Sequence, residues 1–297
     1  MSKPSLSKHL VVGLPRTGKT SFIAALGHVV ESGEVPNSLQ LVDMGDVRDR
    51  VNAISKEWLS YREVDRTNFN TETNVVMKLS SPSGDKVVEI LLPDMTGESF
   101  ELQWKNREWS REYDELARES SGMLLFVHPD KIVEPVSIEE VVQIEAQITD
   151  AGGASVPESQ AGVMPKPTPW NRDFAPTGIQ LVELLQFFVN QKDVYPLARI
   201  AVIVSAWDKL ECLNVTPEAW LSTTLPLLDQ FLRASRNRVP FRIYGVSALG
   251  GDIEDPVDLQ RMQKEDKPSN RIIVVGQDCG PHDISAPIKW LTDVGNE

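Results

Sequence analysis

Cysteine and basic residues are both scarce in this chain of 297 residues. Its two cysteines, Cys212 and Cys279, lie far apart and form no CxxC or Cys/His spacing, which excludes a disulfide scaffold and the usual structural zinc sites. Thirty Lys and Arg stand against 43 Asp and Glu, which leaves a formal net charge of -13. Because such a charge repels a phosphate backbone and an anionic membrane surface, we expect no direct binding to nucleic acid.

Long apolar runs are lacking as well. No run approaches the roughly 18 consecutive apolar residues that a membrane-spanning helix needs, and no apolar segment follows the lysines within residues 1–8. We therefore expect a cytoplasmic protein with reduced thiols and no membrane contact. Apolar residues still make up 41% of the chain, which is ordinary for globular proteins and excludes a disordered or fibrous chain.

A glycine-rich motif near the start of the chain is the strongest chemical signal. Residues 13–20 read GLPRTGKT and fit the pattern GxxxxGK[ST]. The apolar residues 9–12 before the motif predict a short buried strand. The apolar residues between 22 and 30 recur at helical spacing. Strand, loop and helix thus follow one another in the order that a phosphate-binding loop requires.

The chemistry of such a loop assigns a role to each part. The backbone N–H groups and the helix N-terminus cradle a di- or triphosphate, Lys19 reaches the β- and γ-phosphates, and the Thr20 hydroxyl ligates Mg²⁺. The residues predicted to bind nucleotide phosphates here are Gly13, Leu14, Pro15, Arg16, Thr17, Gly18, Lys19, Thr20 and Ser21.

Strand-like and helix-like segments alternate along the rest of the chain. Residues 73–80 and 86–92 read as two strands joined by a turn, which predicts an antiparallel hairpin. Apolar residues at helical intervals predict an extra helix at about 46–65. At about 151–176 the sequence is rich in Ala, Gly, Pro and Ser, which predicts a flexible insertion.

Further segments extend the alternation to the end of the chain. Strands are predicted at 122–127, 200–204, 241–246 and 272–275, helices at 179–190, 216–234 and 284–294, and a polar loop at 250–270. This order predicts a single α/β domain over residues 1–297. Its mostly parallel sheet has one antiparallel strand and is covered by helices on both faces.

Three further segments carry a family resemblance. Residues 94–97 (DMTG) resemble a DxxG motif, 205–208 (SAWD) a divergent [NT]KxD motif, and 247–249 (SAL) an SA[KL] motif. With the phosphate loop, these resemble the motifs of the TRAFAC-class P-loop GTPases. Residues 11–26 resemble more narrowly the double-GTPase family of bacterial conflict and defence gene clusters. The resemblance implies a three-layer α/β/α Ras-like domain that binds GTP or GDP with Mg²⁺.

The resemblance also implies two switch segments. Asp94 would hold Mg²⁺ through water and the Gly97 amide would bond the γ-phosphate. A metal-ligating threonine should precede the second strand of the family pattern, where Thr67, Thr71 and Thr73 all qualify and Thr67 is our choice. The predicted metal ligands are therefore Thr20, Thr67 and Asp94.

Catalytic groups are predicted at three positions. Lys19 neutralises charge on the phosphates, and Arg66 is a candidate for an arginine supplied in cis, unless it is an ordinary solvated arginine. Glu98 stands where many GTPases have a water-positioning glutamine. A carboxylate there orients water but repels the γ-phosphate. We therefore expect slow hydrolysis, on the order of 10⁻⁴ to 10⁻² s⁻¹, unless a partner completes the site.

Base selection depends on Asp208. Its carboxylate can accept from both N–H donors on the guanine edge, which adenine cannot reproduce, unless Asp208 is only a helix cap. Ala206 stands where the family has a lysine that covers the base, so Trp207 or Lys209 would replace that cover. The residues predicted to bind guanine are Trp207, Asp208, Lys209, Ser247, Ala248 and Leu249.

The sequence thus predicts a guanine-nucleotide switch that hydrolyses GTP slowly and acts on partner proteins, in a bacterial defence system if the narrower resemblance holds. Two alternatives remain open, a nucleotide-binding assembly scaffold with little or no turnover and a P-loop ATPase. Trp104, Trp109 and Trp170 would suit a docking surface for a partner, or belong to the core.

Overall fold

One mixed β-sheet organises the protein. The computed structural model describes residues 5–45, 48–62, 75–92, 103–135 and 175–293. The strands within these ranges are β1 Ser5–Gly13, β2 Gln40–Asp43, β3 Val75–Ser80, β4 Lys86–Leu92, β5 Gly122–Val127, β6 Arg199–Ser205, β7 Phe241–Ser247 and β8 Ile273–Val275. They are hydrogen-bonded in the order β2-β3-β4-β1-β5-β6-β7-β8.

Strand directions follow the prediction in the centre of the sheet. The strands β4, β1, β5, β6 and β7 run parallel to one another. Strand β3 is antiparallel to both β2 and β4, which confirms the predicted hairpin of 73–80 and 86–92. Strand β8 is antiparallel to β7. Two strands, β3 and β8, therefore run against the others, whereas the sequence predicted a single antiparallel strand. Strand β2 was not predicted.

Helices cover both faces of this sheet. Their bounds are α1 Lys19–Ser32, α2 Arg48–Leu59, α3 Arg111–Glu119, α4 Thr177–Asn190, α5 Pro217–Thr224, α6 Pro226–Ser235, α7 Pro256–Gln263 and α8 Ala286–Thr292. Short 3₁₀ helices lie at Pro129–Lys131, Trp207–Leu213 and Pro268–Arg271.

Two hydrophobic cores result from the alternation of side chains along the strands. Val11 of β1 and Phe126 of β5 point into the core formed with α1, α2 and α8. There Phe22 of α1 meets Phe126 edge to face, with ring centroids 5.2 Å apart. Leu10 and Val12 point to the opposite face and pack with α3, α4, α5 and α6. The expected three-layer α/β/α arrangement is confirmed.

Two predictions of local structure were wrong. The helix predicted at 216–234 is two helices, because Leu225 leaves the helical conformation (φ -128°, ψ 61°) immediately before Pro226 begins α6. The polar loop predicted at 250–270 contains α7, whose N-cap Asp255 accepts a hydrogen bond from the Val257 backbone N–H over 2.8 Å.

The remaining predicted segments are only partly covered. Helix α2 lies within the 46–65 segment. Residues 151–174 of the predicted insertion lie outside the described residues. In the described parts of the chain no helix is both long enough and apolar enough to cross a membrane.

Candidate nucleotide site

The parallel strands bring the predicted motifs to one edge of the sheet. Strands β1, β5, β6 and β7 run parallel, so their carboxyl ends lie side by side. The phosphate loop follows β1, the 205–208 motif begins at the last residue of β6, and the 247–249 motif begins at the last residue of β7. In open α/β sheets, ligands bind outside the carboxyl ends of the strands.

Close packing explains the two glycines that frame the phosphate loop. A Cβ at Gly13 would lie 2.7 Å from the Phe126 carbonyl oxygen, so β5 leaves no room for a side chain there. Gly18 adopts a left-handed conformation (φ +84°), and a Cβ there would lie 3.2 Å from Ser205 Cβ. The loop therefore approaches β5 and β6 as closely as its backbone allows.

Lys19 is the centre of the loop's internal hydrogen bonds. Its Nζ donates to the carbonyl oxygens of Gly13 and Leu14 over 2.7 and 2.8 Å. The buried Thr17 hydroxyl donates to the same Leu14 carbonyl over 2.8 Å and lies 3.3 Å from Lys19 Nζ. The ammonium is thus held inside the curve of the loop.

The N-terminus of α1 is open to an anion. Its N-cap is Gly18, which offers no side-chain cap, and its first turn contains no acidic residue. The positive end of the helix dipole at this terminus favours an anion such as a phosphate group. Thr20 and Ser21 are half-buried in this turn, and Arg16 is exposed on the loop. These groups are suited to a nucleotide phosphate: the guanidinium and the hydroxyls donate to phosphate oxygens, and a hydroxyl such as that of Thr20 also ligates Mg²⁺.

The SAWD segment turns sharply at the end of β6. Ala206 is in the left-handed conformation (φ 49°) and is the N-cap of the 3₁₀ helix Trp207–Leu213. Trp207 is 3% exposed and packs in the core, whereas Asp208 is half-buried and Lys209 exposed. Of the two residues predicted to cover a base, Trp207 is therefore part of the packing and Lys209 lies at the surface.

Lys209 is not a freely moving side chain. Its Nζ donates to Asp130 Oδ2 in the 3₁₀ helix after β5. This hydrogen bond holds the pKa of the Asp130 carboxyl below its ordinary value and raises the pKa of Lys209. Burial lowers the pKa of the neighbouring His128, which keeps that imidazole neutral at pH 7. The ammonium of Lys209 therefore pairs with Asp130 and also interacts electrostatically with Asp208.

The SAL segment forms a tight turn after β7. The Ser247 side chain is 1% exposed, and its hydroxyl oxygen accepts from the Gly250 N–H over 2.9 Å. The Ala248 carbonyl oxygen accepts from Trp58 Nε1 over 2.7 Å. The neighbouring Ser205 hydroxyl donates to the Val127 carbonyl over 3.0 Å and so ties β6 to β5.

Several predicted residues cannot be located. Arg66, Thr67, Asp94, Gly97 and Glu98 lie outside the described residues, as do Thr71, Thr73 and Trp170. Strand β4 ends at Leu92, two residues before Asp94. Trp104 and Trp109 are half-buried, and the Trp109 ring lies 5.0 to 5.3 Å from the rings of Tyr113, Phe187, Phe188 and Tyr195.

Sequence reasoning missed two residues that contact the predicted site. Asp130, which pairs with Lys209, and Trp58, which binds the Ala248 carbonyl, come from distant parts of the chain. Neither belongs to a motif, so no local pattern could have identified them. Their role appears only once the sheet brings the segments together.

The order and placement of these motifs correspond to a known family. The model of the Double-GTPase 1 family matches residues 10–291, nearly the whole chain. The chain belongs to the Double-GTPase 1 family. Membership in Double-GTPase 1 supports GTP binding by this chain. No curated protein matches the sequence.

Three of the solved structures similar to this Double-GTPase 1 chain have low sequence identity to it. The bacterial selenocysteine-specific elongation factor EF-Sec is 12% identical, with a TM-score of 0.35 over 87% of this chain and 28% of that one. The S. cerevisiae Ski7 GTPase-like domain bound to GTP is 13% identical, with a TM-score of 0.37 over 84% and 44% of the two chains. The same Ski7 domain with GDP and inorganic phosphate is 11% identical, with a TM-score of 0.37 over 90% and 52%. The chain thus spans about half or less of the length of these proteins.

Proposed function

We propose that this chain is a guanine-nucleotide switch that binds GTP or GDP with Mg²⁺, hydrolyses GTP slowly and is recognised by partner proteins in one nucleotide state. The observation that carries the proposal is the position of Lys19 Nζ, held by the Gly13 and Leu14 carbonyls directly before the uncapped N-terminus of α1. This arrangement supports phosphate binding, because the Lys19 ammonium and the N–H groups of the first turn of α1 would donate to the β- and γ-phosphates.

Metal binding would use three hydroxyl or carboxylate groups. Thr20 would contribute its hydroxyl from the first turn of α1, with Thr67 and Asp94 from the two switch segments. The bound Mg²⁺ would neutralise charge on the phosphates. The Gly97 amide would bond the γ-phosphate, so that its loss releases the segment that follows.

Guanine recognition is proposed for Asp208 with the SAL turn. The half-buried Asp208 carboxylate would accept from the two N–H groups of the guanine edge. Ser247 and the Ala248 N–H would contribute to the guanine carbonyl, with Leu249 beside them. The stem of Lys209, fixed through its ion pair with Asp130, would cover the base in place of the missing lysine at position 206.

Slow turnover is the catalytic part of the proposal. Lys19 would stabilise the phosphates, Arg66 would add positive charge in cis, and Glu98 would orient water less well than a glutamine. We expect a rate on the order of 10⁻⁴ to 10⁻² s⁻¹ without a partner. A role in bacterial defence, which the narrower family resemblance implies, is part of the same proposal. So is a cytoplasmic location, which was expected from the cysteine usage and the lack of long apolar runs.

Calorimetric titration with slowly hydrolysed GTP and ATP analogues in the presence of Mg²⁺ tests the binding site. Lys19→Ala should abolish binding. Lys192→Ala is the matched control, because Lys192 Nζ also donates to a backbone carbonyl, that of Arg238, but near the opposite edge of the sheet. Binding of the GTP analogue alone, lost only in Lys19→Ala, supports the proposal.

Two other outcomes would contradict the proposal in different ways. Equal binding of both analogues would make Asp208 a structural residue and indicate a P-loop ATPase or general NTPase. Tight GTP binding with no phosphate release in single-turnover assays would indicate the assembly scaffold, which the alanine at position 206 favours as the second candidate.

A further inference from the structure

The turn proposed to read guanine is braced by a side chain from another part of the chain. Trp58, in the last turn of α2, is fully buried, and its indole Nε1 donates to the Ala248 carbonyl over 2.7 Å. Ala248 is itself 8% exposed. Because the carbonyl is anchored, rotation of the backbone at Ala248 is restricted, and this is the residue whose N–H is proposed to meet the guanine carbonyl.

The rest of the turn is fixed from the outside. Arg261 Nη2 donates to the Gly250 carbonyl over 2.8 Å. Gly250 adopts a left-handed conformation (φ +87°), and a Cβ there would lie 2.1 Å from the Arg271 carbonyl oxygen. The turn therefore packs tightly against the 3₁₀ helix Pro268–Arg271. Trp58 differs from Arg261 in that it donates to the carbonyl of a residue proposed to contact the base.

The indole ring is in turn held by a buried arginine. Arg271 is 3% exposed, and its guanidinium carbon lies 3.8 Å from the centroid of the Trp58 ring and 4.3 Å from that of Tyr61. Its Nη2 also donates to the Trp58 carbonyl oxygen. Burial lowers the pKa of Arg271 to about 10, so the guanidinium stays charged at pH 7 and stacks as a cation between the two rings.

Helix α2 connects this bracing to the phosphate loop. The Ser55 hydroxyl donates to the Ala24 carbonyl of α1 over 2.9 Å. A Cβ at Gly27 would lie 2.9 Å from Val51 Cγ1, so the backbone of α1 at Gly27 packs directly against the Val51 side chain of α2. Helix α1 begins at Lys19. One rigid helix therefore contacts both the helix that starts at the phosphate site and the turn at the base site.

We infer that Trp58, stacked on Arg271, is a positioning residue for guanine recognition, which orients the Ser247–Leu249 turn without touching the nucleotide. This inference rests on the proposed function, because it requires that the turn contacts a guanine base. The inference predicts different effects on the affinity for the base and the affinity for the phosphates. Loss of the indole N–H should weaken contacts to the base and leave contacts to the phosphates unchanged.

Trp58→Phe tests this inference, since phenylalanine keeps an aromatic ring under Arg271 and removes the N–H donor. Two probes are titrated with Mg²⁺: a slowly hydrolysed GTP analogue, and inorganic tripolyphosphate, which has no base. The GTP analogue should bind about 3- to 10-fold more weakly, the effect of one lost hydrogen bond, while tripolyphosphate affinity stays the same.

Trp290→Phe is the matched control. Trp290 is 8% exposed and also stacks with arginines, Arg199 and Arg242, but these are near the start of β6 and β7, at the edge opposite the site. Its Nε1 has no hydrogen-bond partner among the described residues, so its loss removes no bond. Neither affinity should change in this variant.

The outcomes separate this inference from the proposed function. If the wild-type protein binds no guanine nucleotide, both fail. If it binds the GTP analogue selectively and Trp58→Phe binds it equally well, or loses affinity for both probes to the same extent, only the positioning role fails.

A measurement on the wild-type chain covers the case in which Trp58→Phe does not fold. By hydrogen exchange with mass spectrometry, GDP should slow amide exchange in residues 54–62 more than tripolyphosphate does. Equal protection by the two probes would overturn the positioning role.

Discussion

The indole ring of Trp207 lies directly on Gly245, at the centre of β7. A Cβ at position 245 would lie 2.2 Å from Trp207 Cδ2, closer than any two carbon atoms can approach without a bond. Because Trp207 immediately precedes Asp208, this contact also fixes where the predicted base-reading carboxylate stands.

Gly245→Ala should therefore affect stability and binding together. The added methyl group must push Trp207 aside, which should lower the free energy of unfolding by about 1 to 3 kcal/mol and weaken binding of a GTP analogue. Urea unfolding and calorimetry measure the two effects. Gly178→Ala is the control, since its nearest neighbours would be 3.8 Å away, and it should leave stability unchanged or slightly raised. Equal behaviour of the two variants would contradict the packing described here.

Asp208→Asn should change which base is bound. An amide can no longer accept from both guanine N–H groups, so the GTP analogue should lose about 10- to 100-fold in affinity, whereas a xanthosine nucleotide should gain. Titration of both nucleotides is the measurement. Asp255→Asn is the control, because asparagine caps α7 as well as aspartate does. A mutant that keeps its preference for guanine would show that Asp208 does not contact the base.

His9 should make the protein less stable in acid. Thr292 Oγ1 donates to the Ile288 carbonyl over 2.8 Å, so it must accept from His9 Nε2 across their 3.1 Å contact. The other nitrogen, Nδ1, has no partner among the described residues and faces Gly122. Burial lowers the pKa of His9 from 6.5 to about 4, and the folded ring therefore remains neutral where the unfolded ring is protonated.

The sign of the effect follows from this difference. As pH falls from 6.5 to 4, only the unfolded chain binds a proton at His9, so the free energy of unfolding falls by about 3 kcal/mol over that window. Urea unfolding at pH 7, 5.5 and 4.5 should show a steeper loss in the wild type than in His9→Gln. Parallel pH dependences in the two proteins would refute the assignment of a neutral buried histidine.

Thr216 should contribute to stability through one capping bond. Its hydroxyl oxygen accepts from the Ala219 N–H over 3.2 Å at the start of α5. Thr216→Ala should lower the free energy of unfolding by about 1 kcal/mol. The control is Thr223→Ala in the same helix, where the hydroxyl donates to the Ala219 carbonyl and alanine is the better helix former. The two variants are compared by thermal unfolding, and an equal loss in both would exclude a specific cap.

Local signals predicted much of this fold from the sequence. Buried strands such as β5 and β6 read as short apolar runs, and every residue of each is buried. Strand β2 was not predicted because it has four residues, none of them fully buried, and among the described strands it lies at the edge of the sheet, paired with β3. Helix α7 carried a readable signal, an aspartate followed by a proline at 255–256, within a segment whose polarity suggested a loop.

In the candidate site, too, some residues could be predicted from the sequence and others could not. The phosphate loop is contiguous, so Gly13, Gly18 and Lys19 could be assigned from spacing alone. The bracing residues could not, because Trp58 and Ala248 are separated by 190 positions and are joined only by the packing of α2 on the sheet. A hydrogen bond between segments so far apart leaves no periodic trace in the sequence.

The contact between His9 and Thr292 has a consequence for how the protein is made. Strand β1 is synthesised well before α8, and its buried histidine finds its partner 283 positions later. The turn at Ala248 likewise awaits Arg271 before its tryptophan support is complete. Contacts of such long range form slowly and late. The nascent chain therefore carries its phosphate-binding sequence through the synthesis of all the residues up to Thr292 before these supporting contacts can form.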